Sequence, residues 1–203
     1  MDDTLRNQTR DRCLFDMASE QHGYFTAQQA QACGYSVQLM SHHAKRGRFV
    51  RIRRGLYRLR DYPSYYREDL VAAWLSIGKQ AAVVSHESAL EILDLSDAIA
   101  DAIHITVPRS RRYSTSMAGV SVYTSTRAFQ PGDVTIRDGI RVTSPHRTII
   151  DAAVAGTAPE QIERAVFEAL ERRMVDPNQL QKSANERGQR VASLIAQAIE
   201  VTT

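Results

Sequence analysis

Over residues 9–22 the apolar positions Cys13, Leu14, Met17 and Ala18 recur at helical spacing, and Gly23 follows where helices commonly end. That pattern predicts a first helix. Thr26-Ala27-Gln28-Gln29 has the form of a reciprocal capping box, with Thr26 capping the Gln29 amide while the Gln29 side chain reaches back, and opens a short second helix to about Cys33. Gly34-Tyr35 supplies a turn, and Ser36 caps a third helix through about Arg46, with Val37, Met40 and Ala44, or Leu39 and His43, facing inward. After Gly47 come two β-rich runs, FVRIR and LYRL, hinged at Arg54-Gly55. Three short helices and a basic hairpin predict a winged helix-turn-helix.

Asp61-Tyr62-Pro63-Ser64 breaks the pattern, which puts a boundary between domains at 1–62 and 63–203. Beyond it, REDLVAAWLSI reads as an amphipathic helix with Leu70, Val71, Trp74, Leu75 and Ile77 as its buried stripe. AAVVS then reads as a strand at 81–84 and HESALEIL as a helix. IHITV at 103–107 and VSVYTS at 120–125 read as strands, and VTIR and IRVT as a hairpin about Asp138-Gly139. Helices are expected from Pro145 to Ala153, Pro159 to Arg173, Pro177 to about Asn185 and Gln189 to about Ile199. The fold class is α+β: a winged helix-turn-helix followed by a domain with a small, mostly antiparallel sheet and a helical C-terminus.

Charge sharpens the reading of the first domain. Residues 1–60 hold eleven Lys/Arg against five Asp/Glu, while the rest of the chain holds fifteen against eighteen. Within Ser36 to Arg60 stand Lys45, Arg46, Arg48, Arg51, Arg53, Arg54, Arg58 and Arg60 without one acidic residue. Such a run favours an anionic partner over a merely solvated face. Ser36, Gln38, Ser41, His42, Lys45 and Arg46 form the outward face of the third helix, suited to base edges and phosphates. Arg48, Arg51, Arg53, Arg54 and Arg58 belong to the hairpin and suit the backbone of double-stranded DNA.

Other chemistry is thin. Cys13 and Cys33 have no metal-ligand spacing and read as two buried thiols, not a disulfide; His42-His43 diverge on a helix, so no metal is expected. No cofactor fingerprint or Gly-rich phosphate loop is present, and no run approaches the ~18 apolar residues of a membrane span. With no signal-peptide pattern, the expectation is a soluble, cytoplasmic protein without enzymatic activity. Ser85-His86-Glu87 reads as a Ser cap with a first-turn carboxylate, since catalytic triads converge from separate elements.

The segments RGRFVRIRRGLYRL, REDLVAAWL, VVSHESAL, IHITVPRSRR and VTSPHRTIIDAA resemble the AbiEi-type antitoxin family of type IV toxin-antitoxin systems, over about Phe15 to Met174. The resemblance implies an abortive-infection, phage-defence role: an N-terminal winged helix that represses its own operon, with a promoter of inverted repeats, and a C-terminal domain opposing a nucleotidyltransferase-like toxin. Ser85, His86, Glu87, Arg109, Arg111, Arg112 and Arg147 lie in the most family-like segments and are the candidate antitoxin surface. Two other readings stand beside it: a ligand-responsive regulator with no toxin partner, and an atypical kinase-like enzyme that modifies the toxin. No spaced Asp...Glu-x-Lys nuclease constellation follows residue 151.

Overall fold

The computed structural model describes residues 2–97, 100–111 and 117–202, and divides into two compact units, Met1–Gln80 and Ala81–Thr203.

In the first unit α1 (Asp2–Ser19) leads to β1 (Tyr24–Thr26), α2 (Ala27–Ala32), α3 (Val37–Lys45), β2 (Phe49–Arg53), β3 (Leu56–Leu59) and α4 (Glu68–Ile77). The strands form one antiparallel sheet in the order β1-β3-β2. The expected caps are in place: Gln29 N donates to Thr26 Oγ1, Thr26 N donates to Gln29 Oε1, and Leu39 N donates to Ser36 Oγ. β1 escapes the pattern because its three residues run straight into the capping box and pair only with β3, 30 residues on. Gly23 precedes it at φ +84°, where an added Cβ would stand 2.5 Å from the Tyr62 ring, so both backbone and space demand glycine.

Leu14, Phe25, Tyr35, Met40 and Phe49 make the core of this unit. Phe49 meets Phe25 edge-on at 5.0 Å and Tyr35 at 5.6 Å, pairs worth about 0.5–1.5 kcal/mol each beyond the area they bury. Two expectations are corrected here. Val37, read as inward, is 61% exposed at the first turn of α3, while Met40 and Ala44 further along the same face pack on the core. Cys13 and Cys33 are disulfide-bonded, not two buried thiols: the helical head brings their Cα atoms to 5.6 Å, and Cys13 lies at the surface. A separation of 20 residues with no motif around it gives no sign of this pairing.

A network at the edge of the core ties α1 to the turn before α3 and to the start of the hairpin. The Tyr35 hydroxyl donates to Asp11 at 2.5 Å, and Arg48 donates to the other Asp11 oxygen at 2.8 Å. Burial works against the Asp11 charge, but these hydrogen bonds outweigh it and hold the carboxyl below its ordinary range. A folded-state value below the unfolded one means stability present at neutral pH and lost as acid protonates the group. Asp11→Asn is therefore expected to cost on the order of 1–2 kcal/mol at pH 7 and progressively less below about pH 4, in paired urea denaturation curves.

α4 packs on β1 and β3 within the first unit, so that compact unit runs to Gln80 where a boundary at 62/63 was expected. The reason is physical. Glu68 Oε1 lies 3.0 Å from Arg58 Nη2 and accepts from Tyr65 N, and Tyr24 OH donates to Glu68 Oε2. Leu70, Val71, Trp74 and Leu75 are buried, as the stripe predicted, and so are Ala72 and Ala73.

The second unit comprises β4 (Val83–Val84), α5 (His86–Ile92), β5 (Ile103–Pro108), a 3-10 turn (Arg109–Arg111), β6 (Val120–Ser125), β7 (Val134–Arg137), β8 (Ile140–Thr143), α6 (Pro145–Ala155), α7 (Pro159–Glu171), α8 (Pro177–Asn185) and α9 (Gln189–Thr202). The sheet order is β6-β5-β4-β8-β7. The unit is α+β with a helical C-terminus, and the sheet is mixed: β4/β5 and β7/β8 are antiparallel, β4/β8 and β5/β6 parallel. Period two along β5 sends Ile105 and Val107 to one face and His104 and Thr106 to the other. Ser144 caps α6 and Asp176 caps α8.

Candidate functional site

The outward face of α3 is built as expected. Ser36, Gln38, Ser41, His42, Lys45 and Arg46 are exposed, while His43 is half-buried against Tyr35 and Phe49, and burial lowers its pKa. Next to this helix, β2 and β3 form the wing, turning through Gly55 at φ +77° with a β-bulge between Arg51 and Arg53. Arg51 and Arg54 are exposed and Arg53 is half-buried. Arg48 is exposed but pairs with Asp11, and the Arg60 side chain donates to Gly47 O.

Arg58 is a correction. It was expected on the DNA face, yet it is 9% exposed, turned under the hairpin, donating to Tyr62 O and Pro63 O at 2.9 Å and paired with Glu68. Alternation along β3 puts Leu56 and Arg58 on the same inward side. Its guanidinium neutralises a carboxylate of α4, not a phosphate.

In the second unit the structure gathers Ser85, His86, Glu87 and Arg147, but not as a surface. Ser85 and His86 are buried. Ser85 stands at the N-cap of α5 without capping it; its Oγ accepts from Thr106 Oγ1 at 2.8 Å and lies 2.9 Å from His86 Nδ1. His86 has φ 52°, a left-handed conformation costly for a non-glycine residue, and its ring stacks on Tyr123 at 3.7 Å. Burial, with the charges of His104 and Arg147 beside it, pushes the His86 pKa down to about 4, so the ring is neutral at neutral pH. Glu87 turns away from His86 and accepts from Thr157 Oγ1 at 3.0 Å. A buried, engaged Ser85 and a diverted Glu87 do not make a nucleophile, base and orienting acid.

Arg147 is largely buried, donating to Asp151 at 2.7 Å and Asp133 at 3.2 Å. It floors a cleft of about 150 Å³ whose rim carries the exposed Arg127 and Arg187. Arg109 is exposed at the far end of β5, about 16 Å along the strand from His104. Arg111 belongs to the 3-10 turn, and Arg112 lies outside the described residues.

In a second cleft lined by His86 and Tyr123, sequence reasoning missed a cluster altogether. Glu87, Asp101 and His104 each offer a ligand atom within 4.8 Å of the others. Burial lowers the His104 pKa against the pull of the two carboxylates. Only the alternation of IHITV hinted that His104 and Thr106 share a face.

The first unit has the winged helix-turn-helix arrangement common among transcriptional regulators, and the second unit is α+β. A family model described as "Transcriptional regulator, AbiEi antitoxin" matches residues 14–60, and one described as "AbiEi antitoxin C-terminal domain" matches residues 80–200. The chain belongs to the AbiEi antitoxin family. Among solved structures, the RV2827C protein from Mycobacterium tuberculosis has a TM-score of 0.59 at 14% identity, covering 96% of this chain and 77% of that one, a likeness of fold. No curated protein matches the chain. Among the described residues no helix is long and apolar enough to cross a membrane.

Proposed function

We propose that the chain is an antitoxin that represses its own operon: the head binds inverted repeats in its promoter, and the second unit neutralises a nucleotidyltransferase-like toxin. The observation that carries the DNA half is the exposed polar face of α3 beside a wing that presents Arg51 and Arg54. The helix has the short polar side chains that read base edges in a major groove, and the wing has the cations that hold phosphates. The antitoxin half rests on the family of residues 80–200. With Ser85 and His86 buried, our candidates for the toxin-facing surface are Glu87 and the exposed Arg109, Arg127 and Arg187.

Separability tests this reading. With toxin and antitoxin expressed from independent promoters, Arg51→Glu with Arg54→Glu should abolish promoter repression and leave cells protected. Arg127→Glu with Arg187→Glu should do the reverse, leaving repression intact while survival falls. Loss of protection by the wing variant at matched antitoxin levels would defeat the two-part assignment.

A further inference from the structure

We propose that Glu87, Asp101 and His104 form a binding site for one divalent first-row transition-metal ion, with zinc the best match. The three residues come from separate segments: the first turn of α5, the bend before β5, and β5 itself. One carboxylate oxygen from each acid and a ring nitrogen of His104 lie within 4.8 Å of one another. Coordination bonds of about 2.0–2.2 Å set ligand atoms about 3–4 Å apart, so small rotations of Asp101, which is exposed, and Glu87, half-buried, close the set.

Two acidic groups side by side at a surface are common and would mean little alone. The second observation is His104. It is 7% exposed, and its Nδ1, shielded from solvent, has no hydrogen-bond partner among the described residues. A buried ring nitrogen without a partner carries a desolvation cost of about 1–3 kcal/mol, which coordination through that nitrogen would remove. The ring lines a cavity of about 120 Å³ together with Glu87, Asp101 and Thr157.

The donor set selects the ion. An imidazole nitrogen among the ligands disfavours magnesium and calcium, which take oxygen, and two carboxylates without thiolate disfavour copper(I). Glu87 already has the supporting contact that metal-bound carboxylates use, the hydrogen bond from Thr157 Oγ1. Three protein ligands leave a fourth position for water or for a donor atom of a partner. A bound ion would fasten the start of α5 to the start of β5.

Isothermal titration of the full metal-free chain with Zn²⁺ is the test. One equivalent should bind saturably, with Mg²⁺ far weaker. Glu87→Gln and Asp101→Asn, at positions that are not fully buried, should each weaken Zn²⁺ by about tenfold or more with unchanged circular dichroism. His104→Gln should abolish binding, and a His42→Ala/His43→Ala control should bind like the unaltered chain. Absence of saturable Zn²⁺ binding, Zn²⁺ binding indifferent to both carboxylate changes, or Mg²⁺ binding as tight as Zn²⁺ overturns the site. Neither DNA nor toxin enters this measurement, so its failure leaves the proposed function standing.

Discussion

A fragment ending at Tyr62 is expected to lack a cooperative unfolding transition, whereas one ending at Gln80 is expected to melt cooperatively. The shorter fragment keeps all three helices and the wing but loses α4. Arg58 would then lose both Glu68 and the Pro63 carbonyl that hold its guanidinium. Burial of Trp74, 0% exposed, is lost as well, and deletion of such a ring costs about 3–5 kcal/mol by itself. The loss at Trp74 alone approaches the ~5–15 kcal/mol that holds a small domain together. Thermal melts of the two fragments followed by far-ultraviolet circular dichroism decide the matter. A 1–62 fragment melting as sharply as 1–80, at a similar midpoint, would show that α4 is dispensable to the head.

The second large effect concerns DNA. Replacing Arg51 and Arg54 together by Glu should lower affinity for the promoter on the order of a hundred-fold at physiological salt, and make the slope of log K against log salt shallower by about two. Gln38→Ala should instead relax preference at one or two base pairs, by about 1–3 kcal/mol, with the salt slope unchanged. Arg58→Ala is the informative contrast: it is expected to lower the melting temperature and leave the salt slope alone, because its charge faces Glu68. Fluorescence anisotropy with promoter duplexes at several salt concentrations separates the three. Equal loss of slope from Arg58→Ala and from the wing pair would reverse the assignment of Arg58.

What could be read from the sequence was local. The capping box at Thr26 and Gln29, the Ser36 cap, the Gly55 and Asp138-Gly139 turns and the Pro-led helices all emerged within a residue or two of their predicted ends, because each is fixed by neighbours fewer than five positions away. The first half of α1 was missed because residues 2–8 show no apolar stripe. Features set by distant partners stayed hidden: β1 on β3, the parallel pairing of β4 with β8, the Cys13–Cys33 bond, and the inward turn of Arg58. The polar residues of the second unit fared similarly. Ser85-His86-Glu87 drew attention as a run, yet the structure splits it, sending Ser85 to Thr106, His86 to Tyr123 and Glu87 towards Asp101 and His104. No spacing rule joins positions 87, 101 and 104.

Of the eight cations between Ser36 and Arg60, Arg48, Arg58 and Arg60 are engaged inside the head. At most five of that run remain for phosphates, so in the proposed role the run itself contributes a salt slope of no more than about −4 to −5. In the proposed role, a run partly committed to its own fold would grip bulk DNA less tightly than its eight charges suggest and leave non-cognate sequence sooner. Fewer copies would then be tied up along the chromosome, so that a smaller pool would keep the operator of the proposed role filled.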